Sequence, residues 1–168
     1  MNDLRLDKTG AEILIRPVCS DDEERLLRFY LNLSDRTFRS YHGYPLDRNV
    51  FITKEKIFQQ CHAHQDDLCL AAVHDNEIVG LGALLRMELF AEADYEMGHL
   101  ISDDYQKRGI GSLLASALLS HAGKYWTKKR VVAYTHSMNI GARKLVQKFG
   151  FILKNTECGE MTWIYVIP

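Results

Sequence analysis

The stretch that most constrains this chain is Gln106-Lys107-Arg108-Gly109-Ile110-Gly111, a glycine turn between a strand-like run and a long helix. Upstream, Asp94–Ile101 reads as a strand that leaves through the polar turn Ser102-Asp103-Asp104. Downstream, Gly109–Tyr125 carries Leu113, Leu114, Ala117, Leu118 and Ala122 on one helical face. Glycines at a helix start remove the Cβ atoms that would block close approach of a ligand. The first amides of such a helix lack intrahelical partners, and the macrodipole places partial positive charge on them. The turn therefore suits a phosphate or pyrophosphate, with Lys107 and Arg108 as adjacent cations, or else its glycines serve packing alone. A Walker loop is excluded, because Ser112 and Leu113 follow Gly111 where Lys and Ser/Thr are needed. Leu114 stands where a dinucleotide fingerprint needs a third glycine or alanine.

Around this turn the chain reads as one α/β unit. Glu12–Pro17 is a strand closed by proline, and Ser20-Asp21-Asp22-Glu23 has the spacing of a capping box opening a helix. Leu26, Leu27, Tyr30, Leu31 and Leu33 give that helix its apolar stripe. Ser34–Gly43 reads as irregular and Lys54–Cys61 as a short helix. Asp67–His74 and Glu77–Leu89 form a hairpin about Asp75-Asn76. Lys129–Thr135 is a strand, and Gly141–Phe149 a helix stopped by Gly150. Phe151–Asn155 and Met161–Ile167 complete a mixed sheet of about seven strands with about four helices. No linker or repeat divides residues 1–168, so a single domain is expected.

Composition removes several classes of function. Lys+Arg 21 against Asp+Glu 22 gives a net charge of -1, far from the basic footprint of a nucleic-acid binder. The charged N-terminus lacks a signal peptide's apolar region, and no apolar run approaches a bilayer span. A cytoplasmic protein with reduced, mostly buried cysteines (Cys19, Cys61, Cys69, Cys158) is the expectation. Cys61-His62-Ala63-His64 lacks a second ligand pair, so no metal site is expected.

Two segments together carry a resemblance. Glu96–Gly111 (EMGHLISDDYQKRGIG) and Asn139–Phe151 (NIGARKLVQKFGF) resemble the GNAT superfamily of N-acetyltransferases. Gln106, Gly109 and Gly111 match its Gln/Arg-x-x-Gly-x-Gly/Ala motif; Asn139, Ala142, Leu145, Gly150 and Phe151 match its second signature. The resemblance implies a GNAT fold and acetyl-CoA as cosubstrate, held in a splay between the fourth and fifth strands, here Asp94–Ile101 and Lys129–Thr135. Backbone groups near Leu100 and Ile101 would pair with the pantetheine arm as an added strand would. Amides of Arg108, Gly109, Ile110 and Gly111, running on to Ser112, would hold the pyrophosphate. Lys107, Arg108 or Arg143 would meet the 3′-phosphate, and Asn139 would cap its helix and touch the cofactor. The family commonly pairs two copies through its C-terminal strands, so a homodimer is one implied assembly.

Acetyl transfer to an amine needs a base for the amine proton and an exit for the thiolate. Glu96 aligns with the family's general-base glutamate; as a bare residue it also reads as a solvated strand-end acid. Counted in steps of two, Glu96, Gly98 and Leu100 share one strand face. Where many relatives carry a thiolate-protonating tyrosine, this chain has Val146. His136, Tyr134 and Tyr165 are stand-ins by chemistry only. The N-terminal stretch Ile15-Arg16-Pro17 with Leu33–Tyr41 also resembles the start of the acetyltransferase domain fused to acyl-CoA-synthetase-like modules in protein lysine acetyltransferases. Arg36, Arg39, Tyr41 and His42 would then border the acceptor, a primary amine on a small molecule or a protein lysine. An acyl-CoA-sensing module without turnover is the alternative.

Overall fold

The computed structural model describes residues 2–42, 65–87 and 93–168. Its sheet starts one strand earlier than the sequence pattern indicates. Asp3–Leu6 (β1) pairs antiparallel with Glu12–Pro17 (β2), which makes eight strands rather than about seven. β1 escapes a pattern search because its four residues, DLRL, are too short to show a period and leave Leu4 and Leu6 exposed.

Leu68–His74 (β3) pairs with β2 and folds back on Glu77–Arg86 (β4) through Asp75 and Asn76. Both turn residues take positive φ, 48° and 64°, as a two-residue primed turn demands. Tyr95–Ile101 (β5) continues antiparallel to β4. The next strand, Arg130–His136 (β6), lies parallel to β5, which requires a crossover; Ile110–Tyr125 (α3) supplies it. Ile140–Lys148 (α4) then leads to Ile152–Glu157 (β7) and Glu160–Val166 (β8), giving the order β1-β2-β3-β4-β5-β6-β8-β7. Asn139 caps α4 by accepting from the Ala142 amide at 3.0 Å, and Gly150 ends it at φ +82°, both as the sequence indicates.

Glu23–Asn32 (α1) and Asp35–His42 (α2) cover the other face. Residues 35–42 are helical where an irregular stretch is expected. This short helix shows little stripe beyond Thr37 and Phe38, and Ser34 Oγ accepts its Thr37 amide. The helix start near Ser20 also differs. Residues 20–22 form a 3-10 turn, and the buried Asp22 carboxylate, not Ser20, accepts the Cys19 amide. Asp22 pairs with Arg16 (2.7 Å) and Arg25 (3.2 Å). Burial opposes its ionisation, but the bonds from Arg16 and Cys19 win and hold its carboxyl well below the usual range.

Two apolar layers result. Ile13, Leu70, Met97, Val131 and Trp163 pack under α3, while Leu26, Phe29, Phe38, Leu81 and Leu100 pack under α1 and α2. Gly80 and Gly82 let α3 sit directly on β4. A Cβ at Gly80 would lie 2.8 Å from Ile101 Cδ1, and one at Gly82 3.1 Å from Leu114 Cβ. Cys19 and Cys158 are exposed, in a helix entry and the β7–β8 turn, and Cys69 is half-buried, so the three described cysteines are not mostly core residues, and none of them is in a disulfide. Lys54–Cys61 and the Cys61-His62-Ala63-His64 cluster lie outside the described residues. No described helix is long and apolar enough to cross a membrane.

Candidate active site

β5 and β6 pair only at Tyr95↔Val131 and Glu96↔Val132. The closed end is fastened by Asp94, whose carboxylate accepts from Lys129 Nζ (3.1 Å) and the Arg130 amide (2.8 Å), and by Tyr95 stacked on Trp126 at 3.9 Å. Beyond Glu96 and Val132 the strands separate. One edge of Met97–Ile101 is thereby freed from the ladder while the other stays paired to β4. This is the expected splay. Leu100 and Ile101 line it with backbone; their side chains are taken up by the two cores on opposite faces.

The glycine turn stands at the open end. Gly109 is the N-cap of α3 with φ +92°, and Lys107 before it also has positive φ, 62°. The amides of Gly109, Ile110 and Gly111 have no partner among the described residues, whereas Ser112 and Leu113 donate to the Gly109 carbonyl at 2.9 and 3.2 Å. A Cβ at Gly111 would meet only Leu145 Cδ2, at 3.5 Å, so that side of the turn is open. Three unused amides, an open face at Gly111 and an unpaired strand edge fit a phosphate-bearing ligand with an extended amide arm.

The side chains of the motif do other work. Gln106 Nε2 donates to Thr37 Oγ1 (2.9 Å) and to the Ile101 carbonyl (3.2 Å), tying α2 to the turn. Asp103 accepts from the Ser34 amide, Ser34 Oγ and Thr37 Oγ1 at 2.6–2.8 Å, fastening the start of α2 to the same place. Burial opposes ionisation of Asp103, yet these bonds lower its pKa. Arg108 turns away from the amides: its Nε donates to Asp7 Oδ2 at 2.6 Å and its Nη2 to Thr9 Oγ1 at 3.2 Å. Asp7 Oδ1 also accepts from the Thr9 amide, Thr9 Oγ1 and the Ala11 amide, and against the cost of burial these bonds hold its carboxyl far below the carboxylate range. Lys107 is exposed at the turn. Arg143 donates to the Ser137 carbonyl at 2.9 Å and leaves a buried Nε without a partner among the described residues.

Glu96 lies at the crotch of the splay. It is half-buried, with no hydrogen-bond partner among the described residues. Burial first and the like charge of Glu160 second raise its pKa. Alternation places Glu96 and Leu100 on the face of α1 and α2; Tyr134, His136 and Glu160 share that face, since Val131, Ala133 and Met161 belong to the other layer. Glu160 was not singled out from sequence; its signal is a register, His136↔Glu160, that only pairing shows. His136 is four residues past Val132, about 13 Å along the strand, and its Nδ1 accepts from the Met138 amide at 3.2 Å. Val146 is core, 3% exposed, and Tyr165 stacks on Phe151 at 5.2 Å. Arg36 and Arg39 are exposed on α2; the side chains of Tyr41 and His42 lie outside the described residues.

A mixed sheet split between two parallel strands, with a glycine-opened helix at the mouth, makes a socket suited to a phosphate-bearing ligand with an extended arm. A family model described as acetyltransferase (GNAT) domain matches residues 12–152, and the chain belongs to that family. The chain is 26% identical over 163 residues to Acetyltransferase Pat of Mycolicibacterium smegmatis, covering 96% of this chain and 48% of that protein. It spans about half the length, or less, of the curated relatives it matches. Its fold superimposes on the GNAT domain of S. lividans PAT with a TM-score of 0.84, at 24% identity, over 98% of this chain and 96% of that one. The PaiA N-acetyltransferase of Thermoplasma acidophilum, solved in complex with coenzyme A, gives a TM-score of 0.68 at 20% identity over 92% and 98%.

Proposed function

We propose that this chain moves the acetyl group of acetyl-CoA directly to a primary amine, with Glu96 as general base. The observation that carries this reading is the position of Glu96: a half-buried carboxylate without a partner among the described residues, at the point where β5 and β6 part. The amides of Gly109 to Gly111 would hold the pyrophosphate and the free edge near Leu100 and Ile101 the pantetheine arm, and Asn139 and Arg143 border the mouth. The thioester supplies an acyl group already activated for attack. Glu96 takes the proton from the amine nitrogen, directly or through water; its raised pKa makes it a stronger base than a surface carboxylate. The departing thiolate then takes a proton. With Val146 in the core, Tyr134 is the nearer donor on the Glu96 face, and His136 stands at the mouth.

Two acidic side chains on one face, Glu96 and Glu160, favour an acceptor that arrives as a cation, such as a lysine side chain or a small polyamine. The names of two similar proteins, Acetyltransferase Pat and the GNAT domain of PAT, accord with acetyl transfer and leave the amine open. Val146 favours one other reading, an acyl-CoA sensor that binds without turnover. Thiol release measured over a panel of amines and lysine peptides at saturating acetyl-CoA separates the two. Release with a cationic amine is expected; tight CoA binding with no release above background overturns the enzyme reading in favour of the sensor.

A further inference from the structure

The cations expected at the phosphate socket are Lys107 and Arg108, with Arg143 a further candidate for the 3′-phosphate. The fold spends Arg108 elsewhere, on Asp7, a residue 101 positions away in the chain. That ion pair has a geometric result. The turn from Asp7 to Ala11 is closed by the Gly10 amide donating to the Asp7 carbonyl at 3.1 Å and pinned on the glycine turn by the Lys8 amide, which donates to the Arg108 carbonyl at 2.9 Å. Lys8 then has one place to go. Its Cγ, Cδ and Cε pass 3.3, 3.7 and 3.5 Å from where a Cβ on Gly109 would sit, so the stem lies along the N-cap of α3. The ammonium is one bond beyond Cε, beside the turn whose amides are unused. Lys8 is exposed, and its ammonium has no ion-pair or hydrogen-bond partner among the described residues.

We infer that Lys8 is the cation that meets the pyrophosphate of the acyl-CoA, delivered by an Asp7–Arg108 clasp that joins the first turn of the chain to the glycine turn. The inference rests on the acyl-CoA reading of the site. Within it, Arg108 changes from ligand contact to positioning residue, and a lysine outside the matched family segment, residues 12–152, becomes part of the site. The Gly109 backbone explains why a stem rather than a side chain fills this space: at φ +92° with Lys8 at 3.3 Å, a β-carbon there would displace the lysine. A charge-assisted contact to phosphate is among the stronger single hydrogen bonds a surface residue makes.

Calorimetry of the whole chain with CoA and with dephospho-CoA tests this. Lys8→Gln should weaken both ligands by about tenfold, since both carry the pyrophosphate, while Lys8→Arg should keep most of the affinity. The melting temperature of unliganded Lys8→Gln should match the parent, because the ammonium holds no partner in the protein. Equal binding by Lys8→Gln and parent overturns the inference. So does a loss confined to CoA, which would assign Lys8 to the 3′-phosphate. If the parent chain binds neither ligand, the acyl-CoA reading itself falls, an outcome distinct from both.

Discussion

The two sides of the split sheet are built from different materials. The side we assign to the cofactor is mostly backbone: unused amides at Gly109 to Gly111, a freed edge at Met97–Ile101, and an open face at Gly111. The side we assign to the acceptor is mostly side chains, Glu96, Tyr134 and Glu160, presented by alternation on strands whose other face is core. Backbone recognition depends on a few conformations that only certain residues adopt, so it leaves a signature in sequence. Side-chain recognition depends on which strands become neighbours, and that leaves none.

Substitutions on either side should fail in different ways. On the cofactor side, Gly111→Val has room in the unliganded protein but fills the cradle, so CoA affinity should fall by about 100-fold or more with the fold retained. Binding preserved in calorimetry would mean the phosphates sit elsewhere. On the acceptor side, Glu96→Gln should leave CoA affinity unchanged and cut turnover by roughly 100-fold. A rate unchanged across pH would remove Glu96 from the mechanism. Asp7→Asn breaks the clasp on Arg108, and the melting temperature should drop by several degrees with a several-fold loss of CoA affinity. A drop in stability alone would confine the clasp to the scaffold.

Two smaller effects concern protons. Burial pushes the pKa of His99 down to about 4, so the folded protein keeps it neutral where an unfolded chain protonates it. The unfolded state therefore binds more protons between its ordinary value and pH 4, and stability is full above that window and declines as pH falls through it. His99→Asn should flatten this decline in melting temperature; an identical slope would assign it to other groups. Glu160→Gln removes the like charge facing Glu96, and the acid limb of kcat/KM should move to lower pH. No movement would separate the two carboxylates functionally.

The same division explains how much was legible beforehand. The crossover, the glycine turn, the Asn139 cap and the Gly150 stop are local and could be read from residue type and spacing. β1 and α2 could not, since one is four residues long and the other offers little apolar stripe. Gln106 and Arg108 were found as motif residues but their side-chain partners were not, because Thr37 and Asp7 lie 69 and 101 positions away. The Asp-x-Thr-Gly run at residues 7–10 does carry a turn signal, an aspartate accepting the amide two residues on, and it is the one hint of the clasp in the sequence.

The closeness of α3 to β4 has its own result. The height of the amide socket above the sheet is set by two absent methyl groups, at Gly80 and Gly82, under the body of the helix. They act as a depth gauge for a site on another element. A methyl added at Gly82 would lift the helix barrel and tilt its mouth while leaving every ligand-facing residue unaltered. Selection for altered cosubstrate affinity should therefore find variants under the helix as readily as at its tip.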